Sequence, residues 1–326
     1  MNWSRKSVLV TGAGGFIGSH LAEKLVERGA RVRALVKYNS LGSWEWLDRS
    51  PHKGDMEVVL GDVRERDALK KAFRGVDTVF HLAALIGIPY SYETPQSYLR
   101  TNVEGTLNVL QLALESGARV VHTSTSEVYG TARAVPIRED HPLQAQSPYA
   151  ASKIAADKLA EAFHLSFGLQ VTTVRPFNTY GPRQSARAVI PAVVAQALAG
   201  KVIHLGNLTP TRDLNFVSDT VEGFLLAARN PRAVGKTFNL GTGLEVSIGD
   251  LARKVLDIMR LSRRIAVTAD RRRVKGSEVE RLCADAGFAR RLLGWKPAVS
   301  LDEGLRRTVA WIERNKDLYR PDVYAV

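Results

Sequence analysis

The feature that most constrains this chain is Thr11-Gly12-Ala13-Gly14-Gly15-Phe16-Ile17-Gly18, which follows the apolar run Ser7-Val8-Leu9-Val10 and opens a helical pattern from Phe16 to Arg28. Glycine at 12, 15 and 18 answers three mechanical needs. One allows a tight turn, one lets the backbone approach a pyrophosphate, and one lets the helix pack closely on the strand. The positive end of the helix then faces the ligand's negative charge. Gly12, Gly15, Phe16, Ile17 and Gly18 are therefore the expected phosphate cradle of a dinucleotide.

The pattern beyond this turn alternates. Strands are expected at 31–36, 57–60, 78–82, 119–123 and 170–175, with helices at 67–73, 102–115 and 148–167 between them. Such alternation implies right-handed crossovers and a parallel sheet covered on both faces. The expected fold is α/β: a Rossmann-type doubly wound parallel sheet with a smaller, discontinuous C-terminal substrate domain. Residues 1–176, joined by about 214–241, form the dinucleotide-binding part, and 177–213 with 242–326 the substrate part.

Composition narrows the setting. A chain of 326 residues, 45% hydrophobic and 24% charged, reads as an ordinary globular protein. No apolar run approaches the roughly 20 residues needed to span a bilayer. The start, Met1 to Ser7, lacks a signal-peptide pattern, and the single cysteine, Cys283, excludes an internal disulfide. A cytoplasmic protein without membrane contact is expected. The net charge of +13, with basic residues concentrated at 260–273 and at Arg290-Arg291, reads first as an arginine-rich, solvated surface, and a diphosphate ligand would also profit from its field. No zinc-ligand set, RNP-like aromatic motif or basic-region heptad is present, so neither metal nor nucleic acid is expected.

The second strand leaves one question open. An NAD site usually has an acid at its end, accepting from the ribose hydroxyls. Here Ala34-Leu35-Val36-Lys37-Tyr38-Asn39-Ser40 has none. Lys37 fits the extra phosphate of NADP, whereas Asn39 and Ser40 fit the ribose of NAD. Asp62, followed by Val63, is placed either for the adenine amine or for capping a turn.

Tyr149 and Lys153 stand four apart in an expected helix and so share one face. An ammonium beside a phenol favours the phenolate, lowering its pKa from roughly 10. Such a phenol can take the proton of a substrate hydroxyl while hydride leaves for a nicotinamide. At the end of the strand 119–123 stand Ser124-Thr125-Ser126-Glu127, on the carboxyl edge where ligands bind. Glu127 matters most, because hydride transfer alone needs no carboxylate.

With these residues in view, the chain resembles the extended short-chain dehydrogenase/reductase family, in its nucleotide-sugar branch. The matching segments are Thr11 to Gly18, Asp62-Val63, His81-Leu82-Ala83-Ala84, Asn102 to Asn108, Ser124 to Gly130, Tyr149 to Lys153, Arg175 to Arg183 and Thr211-Arg212-Asp213. In this branch 4,6-dehydratases usually carry Thr-Asp-Glu where this chain has Thr125-Ser126-Glu127. Epimerases acting at C4 usually lack the Glu, and UDP-glucuronate decarboxylases share Thr-Ser-Glu. The segments Val36 to Ser40, Trp44 to Leu47, Ala84 to Tyr92 and Ser185 to Pro191 resemble NAD-dependent 4,6-dehydratases of nucleotide-linked N-acetylhexosamines.

The resemblance thus implies a dehydratase acting on an NDP-hexose or NDP-N-acetylhexosamine, of the UDP-GlcNAc or GDP-GlcNAc type. A UDP-glucose or UDP-GlcNAc type 4-epimerase and a UDP-glucuronate decarboxylase are its alternatives. It implies NAD, with NADP left open, and Leu82, Ala83 and Ala84 beside Tyr149 and Lys153 along the cofactor. It implies Tyr149 as base at the 4-hydroxyl, helped by Lys153 and Thr125. Glu127 would be the base at C5, with Ser126 where the usual acid stands. Asn178, Arg212 and Arg281 are implied at the diphosphate, and Ile86, Arg187 and Val189 at the sugar or nucleotide, with Ser185 nearby. The helices from Asn102 and Pro148 imply a homodimer. Trp44 and Trp46 are expected to pack on the first helix, and His81 and Cys283 to be structural.

Overall fold

The computed structural model describes residues 3–268 and 278–319, so part of the basic run 260–273 lies outside the described residues. The strands, in chain order, are β1 (Ser7–Thr11), β2 (Arg31–Val36), β3 (Met56–Leu60), β4 (Thr78–His81), β5 (Arg119–Thr123), β6 (Val171–Pro176), β7 (Asn178–Tyr180), β8 (Val202–Leu205), β9 (Thr211–Phe216), β10 (Thr237–Leu240), β11 (Glu245–Ser247), β12 (Arg264–Val267) and β13 (Arg281–Leu282). Seven of them make one parallel sheet in the order β10-β6-β5-β4-β1-β2-β3. The order reverses between β1 and β4, and the crevice outside their carboxyl ends is where such sheets bind ligands.

The central strands are apolar on both faces because helices cover both. Along β1, Val8 and Val10 enter the core under the helices Phe16–Glu27 and Val217–Arg229. Leu9 enters the opposite core, under Arg66–Phe73, Gly105–Ser116 and Pro148–Phe167. The alternation is the two-residue period of a strand. A wholly buried strand of this kind positions its last residue, Thr11, at the floor of the crevice.

Two elements depart from the sequence expectation. The helix expected from 102 starts earlier as a π-helix, Leu99–Glu104, before becoming α-helical at Gly105–Ser116. The π geometry accompanies a side chain turned to other work: Asn102 accepts from the Leu85 amide at 2.8 Å and donates to Leu85 O and Ser152 Oγ, each at 2.9 Å. The second is the helix Val217–Arg229, in a stretch assigned no element of its own, although Val217, Val221, Phe224, Leu225 and Ala228 recur at helical spacing around Gly223. A methyl there would lie 2.3 Å from Leu240 Cδ1, so the glycine lets this helix settle directly on β10.

In the C-terminal part, β9 pairs with antiparallel β11 and parallel β13 along its first half and with β7 along its second, while β8 pairs with β12. Asp213, on β9 and fully buried, ties the surrounding chain together. It accepts from the Thr242 amide and hydroxyl, each at 2.7 Å, from Gly243 N at 2.9 Å and from Ala284 N at 3.0 Å. A third apolar cluster joins Val128, Tyr129, Ile137 and Phe177 to Val279, Leu282 and Ala284. Ile137 bonds the far segment twice, N to Cys283 O at 2.7 Å and O to Asp285 N at 2.8 Å. Trp46 packs edge-on against Trp311 of the terminal helix, ring centroids 5.4 Å apart, and its backbone N donates to Gly14 O at 3.1 Å.

Candidate active site

The glycine-rich turn is built as its composition requires. Gly12 adopts φ +68°, and a methyl on it would lie 2.9 Å from the Ala83 backbone; at Gly18 it would lie 2.1 Å from Gly12 O. Close contact therefore joins the turn, the helix Phe16–Glu27 and the loop after β4. Gly15, the N-cap, offers no side chain to the first helical amides. Those amides and the helix dipole remain for an anion. A dinucleotide pyrophosphate fits this cradle, with Phe16 and Ile17 supplying first-turn backbone.

A relay of hydroxyls and one imidazole fixes the floor between β1 and β4. The Leu82 and Ala83 amides donate to Thr11 Oγ1, both at 3.1 Å. Thr11 Oγ1 pairs with His81 Nδ1 at 2.8 Å, and His81 Nε2 with Thr106 Oγ1 at 3.0 Å. Thr106 itself donates to Asn102 O. That donation makes Thr106 an acceptor from Nε2–H, so Nδ1 accepts from Thr11. Burial, with His122 and Lys153 adding to it, holds His81 well below the usual histidine range and hence neutral. His81 is structural, as expected, and through Asn102 its chain reaches the catalytic helix.

That helix, Pro148–Phe167, starts at Pro148 with Ser147 as cap, its hydroxyl accepting from Ala150 N at 3.1 Å. Tyr149 and Lys153 lie in its first turns and are both buried. Facing them, Thr125 caps the short 3-10 turn Ser126–Tyr129, accepting from Glu127 N at 3.2 Å. Burial is the largest influence on the Tyr149 phenol and raises its pKa; a hydrogen bond with Thr125 opposes this, and the charge of Glu127 adds to it. Glu127 is half-buried and close enough for its charge to reach the phenol. Tyr149, Thr125 and Glu127 thus form one site, lined also by buried Ser126.

The Lys153 ammonium donates to Thr123 O at 2.6 Å. The lysine lies one turn deeper, at the end of β5. Desolvation lowers its own pKa to about 8, with Asp157 opposing.

Asp157, one further turn along the same face, was not signalled by any motif. It accepts from His122 Nε2 at 3.0 Å, Ser124 Oγ at 2.7 Å, and Arg175 Nε and Nη2 at 3.2 and 3.0 Å. Burial would raise its pKa, but His122, Arg175 and Lys153 together outweigh that and hold it at about 2. Arg175 continues to the Tyr129 hydroxyl at 2.9 Å, which donates to Asn239 Oδ1 at 2.7 Å. The Tyr-x-x-x-Lys spacing extended by one turn would have found Asp157.

The remaining predicted residues divide. Asn178, on β7, has a buried Oδ1 with no hydrogen-bond partner in the protein. Arg187 is half-buried against Gly87 and Tyr98, where a methyl on Gly87 would lie 2.7 Å from its Nη1. Tyr98, also missed in the sequence, donates to Gly87 O and packs edge-on to Tyr149 at 6.2 Å. Val189 opens the helix Val189–Ala199, and Ile86 is exposed.

Arg212 and Arg281 stand on adjacent strands, but the register pairs Arg281 with Thr211 and Arg212 with Leu282, so the two arginines belong to opposite faces. Arg281 Nη2 meets Glu245 Oε1 at 2.5 Å, and Arg212 Nη1 donates to Thr211 O at 2.8 Å.

Around the second strand, the Asn39 amide is engaged with Ser43 O at 2.8 Å, its Oδ1 accepts from Ser43 N at 3.0 Å, and Ser40 is exposed. Both Asp62 oxygens are taken by Arg64, at 3.0 and 2.6 Å, so this carboxylate closes a turn. Among the described residues no His, Cys, Asp and Glu cluster could hold a metal ion, and no helix is long and apolar enough to cross a membrane.

Comparison with known proteins converges on this architecture. A family model described as GDP-mannose 4,6 dehydratase matches residues 9–308. A UDP-glucose 4-epimerase of Mycolicibacterium smegmatis is 36% identical over 316 residues, covering 94% of this chain and 98% of the relative. A dTDP-glucose 4,6-dehydratase of Streptomyces griseus is 34% identical over 325 residues, covering 98% and 97%. The solved structure of DesIV, a dTDP-glucose 4,6-dehydratase from Streptomyces venezuelae with NAD bound, matches with a TM-score of 0.89 at 34% identity, covering 97% of this chain and 99% of the other. The chain belongs to the GDP-mannose 4,6 dehydratase family, in the nucleotide-sugar branch of the extended short-chain dehydrogenases/reductases.

Proposed function

We propose that the protein is an NAD-dependent nucleotide-sugar 4,6-dehydratase, converting an NDP-hexose or NDP-N-acetylhexosamine to its 4-keto-6-deoxy form. The observation that carries the reading is the half-buried Glu127 carboxylate within electrostatic reach of the Tyr149 phenol. The sheet-bearing part (1–176 with 214–241) would hold the dinucleotide and the remainder the nucleotide sugar. Gly12, Gly15, Phe16, Ile17 and Gly18 would hold the pyrophosphate, with Val63, Leu82, Ala83 and Ala84 along the rest. Bound there, NAD supplies a hydride acceptor for C4 and returns the hydride at C6, so none is consumed.

The chain's own residues move the protons. Tyr149 takes the 4-hydroxyl proton, with Thr125 bonded to the phenol. The 4-ketone then acidifies the C5 proton, which Glu127 removes. Water leaves from C6 with a proton delivered by Glu127 or by a water held on Ser126, because a serine hydroxyl is too weak an acid to serve alone. Asn178 and Arg212 would bind the diphosphate, while Arg281, on the opposite face of its sheet and paired with Glu245, would not share that site, and Arg187 would reach the sugar end. The exposed Leu99, Leu114, Leu165 and Phe167, on the helices around Asn102 and Pro148, support pairing as a homodimer. The lone buried cysteine fits a cytoplasmic setting.

A 4-epimerase is the second reading, favoured by Ser126 at the acid's place and by the 36% identical epimerase. Mass spectrometry of products from UDP- and GDP-linked N-acetylglucosamine decides: loss of one water, with no net cofactor use, supports dehydration. An unchanged mass with a new sugar peak would replace it by epimerisation, and loss of carbon dioxide from UDP-glucuronate by decarboxylation. Glu127→Gln is expected to reduce NAD in the presence of substrate while forming no dehydrated product. Normal turnover in that variant would remove Glu127 from the mechanism.

A further inference from the structure

The end of β2 lacks the acid that would hold the adenosine ribose of NAD, and neither the amide nor the hydroxyl there supplies a carboxylate. Asn39 is spent on closing its own turn, and Ser40 is exposed, as is Glu45 in the loop beyond. The loop that follows supplies a carboxylate from elsewhere. Glu45 folds back on the glycine-rich turn, where a methyl on Gly14 would lie 2.7 Å from its Oε2 and 3.0 Å from its Cβ. The neighbouring backbone is tied to the same glycine, Trp46 N donating to Gly14 O at 3.1 Å.

This placement is held at a cost. Glu45 is a non-glycine residue at φ +58°, in the left-handed region that a side chain disfavours. A cage of local bonds enforces it: Trp44 N donates to Asp48 Oδ2 at 2.9 Å, Ser43 Oγ to Asp48 Oδ2 at 2.8 Å, and Glu45 N to Ser43 Oγ at 3.0 Å. Desolvation raises the Glu45 pKa and the charge of Lys37, at the end of β2, opposes this; Arg64 is the main influence lowering that of Asp62, with Lys37 adding a smaller pull, so Lys37 is near both. The end of β2, the glycine-rich turn and Glu45 are therefore one neighbourhood, with a cation and a carboxylate facing a common space.

We propose that Glu45 replaces the missing strand-end acid: its carboxylate accepts from the adenosine ribose hydroxyls and, by repelling a 2′-phosphate and neutralising Lys37, selects NAD over NADP. The assignment rests on the dinucleotide reading of the cradle. A glycine at 45 would accept the backbone geometry without strain, so the retained glutamate has a use that its conformation opposes.

The test is calorimetric titration of nucleotide-free protein with NAD and with NADP, for the wild type, Glu45→Gln and Glu45→Gly. The wild type is expected to bind NAD more tightly. In both variants NAD affinity should fall about tenfold, the loss of one charge-assisted hydrogen bond, and the preference over NADP should shrink by at least that factor. Glu45→Gly should also raise the thermal midpoint of the nucleotide-free protein by about 1–2 °C, since glycine relieves the left-handed residue. That rise separates lost binding from lost folding. Unchanged NAD and NADP affinities in the variants, or a wild type that prefers NADP, would overturn the assignment while leaving the cofactor reading intact. A wild type that binds neither dinucleotide would overturn both.

Discussion

The front and the back of one face of the helix Pro148–Phe167, its first turn and its third, differ in how their polar groups are satisfied. At the back, Asp157 collects His122, Ser124 and Arg175 in a buried network that runs on through Tyr129 to Asn239. At the front stand a phenol pushed away from ionisation and a half-buried carboxylate, joined on the proposed reading by the unpartnered oxygen of Asn178 on β7. At the back every Asp157 oxygen is engaged, although His122 Nδ1 is left without a partner; at the front the polar groups face space that the proposed substrate would fill. A reactive face can stay under-satisfied because a few ångströms away the same helix is fixed by full-strength charge pairing.

Asp157→Asn should break the contrast most strongly. It leaves Arg175 buried without its carboxylate, a loss of about 3–5 kcal/mol in unfolding free energy by denaturant titration. The pH dependence has a definite sign. The folded pKa of Asp157, about 2, lies below its unfolded value, so its stabilisation is present above roughly pH 4 and fades as pH falls toward 2. The variant should show no such fading. An Asp157→Asn protein as stable as wild type would mean that the back of the helix is not its anchor.

The next effect joins the two sides. Lys153 loses its charge as pH rises through about 8, so kcat/KM should fall above that pH by about tenfold per unit if the ammonium is required. Asp157 is what holds this pKa up, so the alkaline limb should move to lower pH in Asp157→Asn. A limb that stays in place would show that the network steadies Lys153 without tuning it.

The smallest effect belongs to the front. Asn178→Ala removes a buried oxygen that has no partner in the protein, so stability should stay within about 1 kcal/mol of wild type. The KM for the nucleotide sugar should rise about tenfold. A large stability loss with an unchanged KM would move Asn178 to the structural side.

Much of this was legible in the sequence. Alternating apolar runs and helical spacing foretold the seven-stranded sheet, since buried parallel strands advertise themselves as continuous apolar segments. Thr125, Glu127, Tyr149 and Lys153 were found because a motif fixes their spacing along one strand end and one helix. The rest is encoded in contacts between distant segments. Asp157 is recognisable only once His122 and Arg175 are seen around it, and Thr11, His81 and Asn102 only as a relay across four elements. Glu45 depends on a left-handed backbone that no local propensity for glutamate would suggest. The opposite faces of Arg212 and Arg281 follow from the register of a two-residue strand, which composition does not determine. The Lys153 bond to Thr123 O shows that helical spacing places two side chains on one face without saying which neighbour each will choose.

The cluster joining Val128, Tyr129, Ile137 and Phe177 to Val279, Leu282 and Ala284 has a consequence for anyone wishing to re-engineer specificity. The segment just after Glu127 and the strand bearing Arg281 are sewn into one core by Ile137. Transplanting the C-terminal portion from a relative, with the splice at residue 177, would pair one parent's seam with the other's and strip a matched apolar surface from both. On the proposed reading, the chemistry at the sugar and the substrate portion meet at this seam, and new specificities are better grafted as side chains on it than as interchangeable cartridges.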